Sequence, residues 1–111
     1  MVEARSRKAA FLREAIRTLD LGRASVEHQR FEELALRQDR ANTAGLVTVR
    51  AVKLDESFFR GVAWLIRRDG RLVLFQPAEL NRSRFSEEST IALPSATATN
   101  SFAVIAVPRG T

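Results

Sequence analysis

Residues 46–75, LVTVRAVKLDESFFRGVAWLIRRDGRLVLF, decide the fold. They open with LVTV, a compact β-branched run typical of a strand that is buried on both faces. A stretch with apolar residues at helical spacing follows, and Asp55 is placed to cap its first turn. Asp69-Gly70 then predicts a turn into a second strand over 71–75. A strand, a helix and another strand in this order predict a parallel pair of strands joined by a helical crossover.

The chain before this unit repeats the alternation in a shorter form. Val2-Glu3-Ala4 has the pattern of the tail of a strand. A helix is predicted from Ser6, as its cap, to Gly22, which would end it. A short strand over 25–29 and a short helix over 31–37 come next. Alternating strands and helices indicate an α/β fold with a mostly parallel sheet.

The chain after residue 75 predicts a different arrangement. Two strands, over 89–93 and 101–107, are joined by the short polar segment PSATATN. This pattern indicates an antiparallel hairpin. The length of 111 residues fits one domain. We therefore predict a single α/β domain over 1–111, with a mostly parallel sheet that ends in an antiparallel hairpin.

The composition limits the kinds of site that the chain can carry. It has no cysteine and one histidine, His28, which excludes disulfides, thiolate zinc sites and cysteine nucleophiles and argues against a metal site. No apolar run approaches the roughly 18–20 residues that span a membrane, and no signal segment is recognisable, so a cytoplasmic protein is expected. The formal net charge of +5 suits RNA, although scattered arginines can also follow from genome base composition.

Four segments resemble the small-subunit ribosomal RNA guanine-N7 methyltransferase family, also called the glucose-inhibited division protein B family. They are VEARSRKAAFLREAIRTLDL, VEHQRFEELA, TVRAV and SFAVIAV, in the order and spacing of that family. The likeness runs in register from residue 2 to about residue 76, and more loosely to residue 107. It implies the Rossmann-like fold of S-adenosylmethionine-dependent methyltransferases, with strands two to seven present and ribosomal RNA as the partner.

The resemblance implies a cofactor site for S-adenosylmethionine. Glu3, at the end of the second strand, would accept hydrogen bonds from the ribose hydroxyls. Its alternative is a solvated carboxylate near the N-terminus. Phe31 and Glu32 would border the adenine ring. The alternative, equally weighted, is that Phe31 anchors the short helix in the core while Glu32 and Glu33 face water.

Arg50 is the residue for which the resemblance implies a place in the catalytic centre. It follows LVTV directly, so it emerges at the carboxyl end of a central strand, and with Lys53 it would bind RNA. The alternative is a structural ion pair between Arg50 and an acid such as Asp55. Guanine N7 carries a free lone pair, so methyl transfer to it needs alignment rather than a general base, a metal or a covalent nucleophile.

The chain also departs from the family pattern. It contains no G-x-G and no strand before Val2, so we expect an N-terminally incomplete domain without the first strand and the glycine loop. Without the first strand, the edges of its neighbours in the sheet are unpaired, which predicts self-association. Binding of S-adenosylmethionine by the chain alone at micromolar affinity would contradict the expectation that the domain is incomplete. Ala44-Gly45 replaces the aromatic-acid pair of the family, and Gln76-Pro77 replaces its lysine-glycine pair.

The alternative function is a catalytically inactive remnant that serves as a basic RNA-binding or interaction module. A different small-molecule methyltransferase is a third possibility.

Overall fold

The computed structural model describes residues 1–50, 53–75, 80–93 and 101–109. The helices and strands in these ranges are α1 (Ser6–Thr18), α2 (Phe31–Ala35), a 3-10 helix (Gln38–Arg40), β1 (Ala44–Val49), α3 (Glu56–Leu65), β2 (Ile66–Leu74), β3 (Phe85–Leu93) and β4 (Ser101–Pro108). The helices in the described part of the chain are too short or too polar to cross a membrane.

The four strands form one sheet in the order β1-β2-β4-β3. β1 and β2 are parallel, whereas β4 runs antiparallel to both β2 and β3. The last strand therefore inserts between the second and the third. The predicted parallel pair and the predicted hairpin are both confirmed, and the PSATATN connection lies outside the described residues. Only one of these three pairings is parallel, because the hairpin supplies two of the four strands.

A second, smaller pairing joins the N-terminal residues to the predicted strand over 25–29. Val2 and Glu27 form an isolated parallel bridge. The Glu3 amide donates to the Glu27 carbonyl at 3.0 Å, and the Glu27 amide donates to the Met1 carbonyl at 2.7 Å. The prediction of a strand over 25–29 is thus wrong in extent. Val26 is the only apolar residue in that stretch, so its side chains offer little burial to extend a ladder.

The ends of α1 differ from the prediction at both sides. The helix is preceded by Arg5 and has no side-chain cap, so Ser6 is its first residue rather than its cap. At the other end Asp20, not Gly22, takes the left-handed conformation, with φ of 53°. The Leu21 amide donates to the Ile16 carbonyl, which completes a Schellman motif. A short polar side chain tolerates that conformation, so the helix ends without using the glycine.

Asp69-Gly70, predicted as a turn, forms an irregularity inside β2. Ala44 pairs with Ile66 and Leu46 with Arg71, so two steps along β1 correspond to five along β2. The strand therefore begins directly after α3 rather than at residue 71. Gly70 is required there, because an added Cβ would lie 2.9 Å from the Arg67 carbonyl oxygen and 3.1 Å from that of Ala44.

The core lies between α3 and the sheet. Val62 of α3 and Leu72 of β2 are fully buried, as is Phe85 at the start of β3. A row of four aromatic rings runs through this core, with centroid separations of 5.3, 5.4 and 6.0 Å: Phe31, Phe58, Phe59 and Phe85. The row ties α2, α3 and β3 together.

The predicted cap of α3 is confirmed and offers a direct stability test. The Asp55 carboxylate accepts a hydrogen bond from the Phe58 amide at 2.8 Å. We expect Asp55→Ala to lower the free energy of unfolding by about 1 kcal/mol, because an orphan amide of the first turn loses its acceptor. Urea titration followed by circular dichroism measures this change. Ser6→Ala is the matched control: Ser6 makes no capping bond, so an equal loss for Ser6→Ala would contradict the assignment.

Candidate functional site

Arg50 and Phe75 meet at the carboxyl ends of the two parallel strands. Val49 pairs with Leu74, and the Phe75 amide donates to the Val49 carbonyl at 3.3 Å. The residues that follow the two strands are therefore neighbours. The guanidinium carbon of Arg50 lies 5.6 Å from the centroid of the Phe75 ring, which is cation–π distance. Arg50 itself is exposed to solvent.

The ion pair between Arg50 and Asp55, the example given for the alternative, does not form. The carboxylate of Asp55 is used as the cap of α3. Within the described residues, the ion pairs do not include Arg50. Lys53 is exposed in the segment between β1 and α3, so it adds a second cation to the same loop. The two residues predicted to bind RNA therefore both lie between the end of β1 and the start of α3.

A polar cluster frames this edge of the sheet. Glu56, the first residue of α3, accepts hydrogen bonds from Asn81 Nδ2 at 2.6 Å and from Arg84 Nε at 3.0 Å. The hydrogen bond from Arg84 lowers the pKa of Glu56, so its carboxylate stays charged at neutral pH. Since α3 follows β1 along the chain and residues 81–84 lie between β2 and β3, the cluster ties the start of α3 to the segment before β3. The sequence alone does not reveal this cluster, because Asn81 and Arg84 are 25 and 28 residues from Glu56.

Glu3 lies at the carboxyl end of the smaller, N-terminal pairing. It is half-buried, and its Oε1 accepts a hydrogen bond from the Arg5 amide at 3.1 Å. His28 Nε2 lies 3.2 Å from the Ala4 carbonyl oxygen, which holds the loop after Glu27 against the residue that follows Glu3. Glu3 and the start of the loop towards α2 are thus neighbours, as a ribose-binding acid beside an adenine-bordering loop requires. Their roles remain predictions.

Phe31 is packed in the core, while Glu32 and Glu33 are exposed. Its ring lies over Gly61 of α3, where an added Cβ would be 2.8 Å from Phe31 Cε2. The structure therefore shows the core-anchoring alternative for Phe31. The ring is only partly buried, and both Phe31 and Glu32 belong to the first turn of α2 rather than to the loop that was predicted to border adenine. That second role stays a prediction.

Glu27 connects the smaller pairing to the segment that leads into β1. Its carboxylate accepts a hydrogen bond from Arg40 Nη2 at 2.7 Å, and Arg37 Nη1 lies 4.0 Å from it. Sequence reasoning missed this tie, although an acid on a predicted strand and a basic pair after a short helix were visible. The contacts of the described residues establish two clusters, one around Glu3 and one around Arg50.

The described residues of the site supply charge and hydrogen bonding. Among the described residues no polar or charged side chain is fully buried, and no cluster of His, Asp and Glu could hold a metal ion. The groups at the edge of the sheet are guanidinium, ammonium and carboxylate groups in contact with solvent. Such groups bind and orient a polar substrate at the ends of the strands, where open α/β sheets carry their ligands.

Comparison with known proteins identifies the family. A family model described as GidB, rRNA small subunit methyltransferase G, matches residues 1–104. The chain belongs to the rRNA small subunit methyltransferase G family. The ribosomal RNA small subunit methyltransferase G of Acidothermus cellulolyticus is 34% identical over 92 residues, which are 83% of this chain and 39% of that protein. The chain thus spans well under half of the length of this relative.

The fold comparison gives the same class. The crystal structure of a mutant of MtNAS superposes with a TM-score of 0.69 over 96% of this chain and 42% of the other, at 14% identity. At that identity the likeness concerns the fold alone. The predicted fold class, a Rossmann-like α/β fold of the S-adenosylmethionine-dependent methyltransferase type, is confirmed.

One departure from the methyltransferase G pattern has a structural explanation. Ala44-Gly45 replaces the aromatic-acid pair that the family resemblance leads us to expect. A Cβ added at Gly45 would lie 2.9 Å from Arg67 Nη2. The guanidinium of Arg67 therefore lies over the bare backbone of Gly45, and Arg67 also pairs with Asp69 at 3.2 Å. The second departure, Gln76-Pro77, lies outside the described residues.

Proposed function

We propose that this chain is the part of an S-adenosylmethionine-dependent methyltransferase that carries its RNA-binding edge, and that the acceptor is N7 of a guanine in small-subunit ribosomal RNA. The family membership supports the reaction class. The observation that carries the proposal is Arg50, exposed at the carboxyl end of β1 and free of the ion pair with Asp55. Whole-protein activity is proposed for the complete gene product, because the chain spans only 39% of its relative.

The residues at this edge suit an acceptor that needs no proton removed. A guanidinium presents five N–H donors in a planar fork, which can bind a phosphate or O6 of a guanine and leave the N7 lone pair free to take the methyl group. Lys53 adds a point charge to the same loop, and electrostatic contacts to phosphates steer RNA toward it. Orientation and exclusion of water are then what the protein contributes to the rate.

The described residues fit part of an S-adenosylmethionine site. Glu3 is half-buried at a strand end, and one carboxylate oxygen is held by the Arg5 amide, which leaves Oε2 to accept from a ribose hydroxyl. Glu32 is exposed in the first turn of α2, the helix that follows the smaller pairing. When bound, the cofactor supplies an electrophilic methyl group. Glu3 would hold the ribose, while Phe31 and Glu32 would flank the base.

The proposal can be tested in the source organism. Deletion of the gene is expected to remove one N7-methylguanine from small-subunit ribosomal RNA, detected as loss of borohydride- and aniline-induced cleavage at one nucleotide. The wild-type gene should restore the cleavage. Unchanged modification in the deletion strain would contradict the proposal. If purified protein nevertheless binds RNA with a steep dependence on salt, the inactive RNA-binding module is the better description.

We also propose self-association through the outer edge of β1. The Val49 carbonyl bonds to β2, so by the alternation along a strand the backbone groups of Leu46 and Thr48 face away from the sheet. The segment AGLVTV carries no charge, and Leu46 is 62% exposed. The opposite edge, β3, carries Glu87 and Glu88, which discourage pairing. A second copy fits the edge of β1, since antiparallel pairing about Val47 sets Leu46 opposite Thr48 of the other copy.

Sedimentation velocity of the 111-residue chain measures this association. We expect a concentration-dependent dimer, and we expect the double variant Leu46→Lys, Thr48→Lys to raise its dissociation constant roughly tenfold, because lysines would then face each other across the pair. Ile91→Lys, at an exposed position of β3, is the matched control and should leave the constant unchanged. A wild-type chain that stays monomeric, or an equal effect of Ile91→Lys, would refute pairing through β1.

A further inference from the structure

The aromatic ring beside Arg50 has no role in the function described so far. Phe75 is the first residue after β2, half-buried, and fixed by its amide hydrogen bond to Val49. Its ring centroid lies 5.6 Å from the guanidinium carbon of Arg50. A half-buried ring on a strand end is a rigid partner, whereas Arg50 is exposed and has a long side chain that would otherwise sample many rotamers.

The side chain that contacts Arg50 decides how many N–H donors of the guanidinium stay available for a substrate. An acid would take up the N–H donors of the guanidinium and neutralise its charge. An aromatic ring attracts the cation through its face and accepts none of the donors in the guanidinium plane. The charge and the donor fork therefore remain available to a substrate.

The acids nearest along the chain are engaged elsewhere. The carboxylate of Asp55 caps α3 through the Phe58 amide. The carboxylate of Glu56 accepts from both Arg84 and Asn81. Each of these acids has its own cation or amide partner, so the arrangement keeps them from competing with Phe75 for Arg50.

We infer that Phe75 is a positioning residue for Arg50: its ring holds the guanidinium at the end of β1 with the N–H donors free to bind acceptor atoms of RNA. The inference rests on the RNA-binding role proposed for Arg50. Aromaticity at position 75, rather than apolar volume, is what it requires. A tryptophan, the best cation–π partner, should serve as well as phenylalanine, and a leucine should not.

A double-mutant cycle on the full chain, with small-subunit ribosomal RNA as the probe, tests the inference. The affinities of wild type, Phe75→Leu, Arg50→Met and the double variant are compared at one salt concentration. We expect Phe75→Leu to weaken binding about two- to fivefold in the wild-type background and to have no effect beside Arg50→Met. Phe75→Trp should bind at least as tightly as wild type. Urea unfolding of each variant confirms that it is folded under the binding conditions.

The outcomes separate the inference from the function on which it rests. An equal loss from Phe75→Leu in both backgrounds means a structural role and overturns the inference, as does a Phe75→Leu variant that binds like wild type. An Arg50→Met variant that binds RNA normally contradicts the role proposed for Arg50 instead. In that case the NMR signal of the Arg50 side-chain NεH still reports the contact: an upfield ring-current shift that disappears in Phe75→Leu supports it, and no shift refutes it.

Discussion

Arg50→Ala is expected to lower the turnover of methyl transfer by the complete gene product about a hundredfold, with little change in the affinity for S-adenosylmethionine. The side chain lies at the end of β1 beside Phe75, whereas the residues proposed to hold the cofactor belong to the separate cluster around Glu3. Loss of the guanidinium removes the donor fork that orients the RNA. Single-turnover methyl transfer and equilibrium cofactor binding measure the two quantities independently.

Two variants control this experiment. Lys53→Ala removes a cation from the same loop, and we expect it to weaken RNA affinity and reduce the salt dependence by about one phosphate contact, with a smaller effect on turnover. Arg50→Lys keeps the charge but loses the planar fork, so it should recover only part of the activity. If Arg50→Ala leaves turnover unchanged, or lowers it no more than Lys53→Ala does, Arg50 has no catalytic role.

Phe85→Ala is expected to lower the free energy of unfolding of the chain by about 3–5 kcal/mol. The side chain is 0% exposed, begins β3, and stands 6.0 Å from the Phe59 ring, at the end of the row that continues through Phe58 to Phe31. Truncation removes the transfer free energy of the ring and leaves a cavity between α3 and the sheet. Because small domains are stable by only about 5–15 kcal/mol, the variant is expected to be partly unfolded at moderate temperature.

Phe11→Ala is the matched control for the same residue type. The Phe11 side chain is 71% exposed on α1, so its loss should change the free energy of unfolding by no more than about 0.5 kcal/mol. The loss in the free energy of unfolding for Phe85→Leu should lie between those for Phe11→Ala and Phe85→Ala, since leucine keeps most of the apolar volume. Thermal unfolding followed by circular dichroism measures all three variants. Equal destabilisation by Phe11→Ala and Phe85→Ala would contradict the placement of the core.

The elements whose signals are local could be predicted from the sequence. The run LVTV, the cap at Asp55 and the antiparallel hairpin depend on hydrophobic periodicity and on hydrogen bonds over three residues. The first strand of the hairpin begins at Phe85, four residues before the predicted start at residue 89. The helix ending at Gly22 was predicted wrongly for a related reason: Asp20 satisfies the same backbone geometry two residues earlier. Local rules predict which conformation is required and leave open which of two nearby residues adopts it.

The contacts between distant residues could not be predicted in the same way. The ion pairs Glu27–Arg40 and Glu56–Arg84 depend on how distant segments of the chain are placed in the fold. In a chain with 18 basic residues, the sequence offers many other acid–base pairs that are equally plausible. The Arg50–Phe75 contact is intermediate. The parallel pairing of β1 with β2 implies that residues 50 and 75 are neighbours, but the contact between the guanidinium and the ring depends on the side-chain rotamers.

The central claim is that these residues form part of an S-adenosylmethionine-dependent methyltransferase acting on ribosomal RNA. The most direct measurement incubates the purified complete gene product with methyl-labelled S-adenosylmethionine and small-subunit ribosomal RNA, and identifies the labelled nucleoside after digestion. We expect label in N7-methylguanosine, and we expect it to be nearly absent with Arg50→Ala. Label in no nucleoside, from protein shown to bind both the RNA and the cofactor, would contradict it.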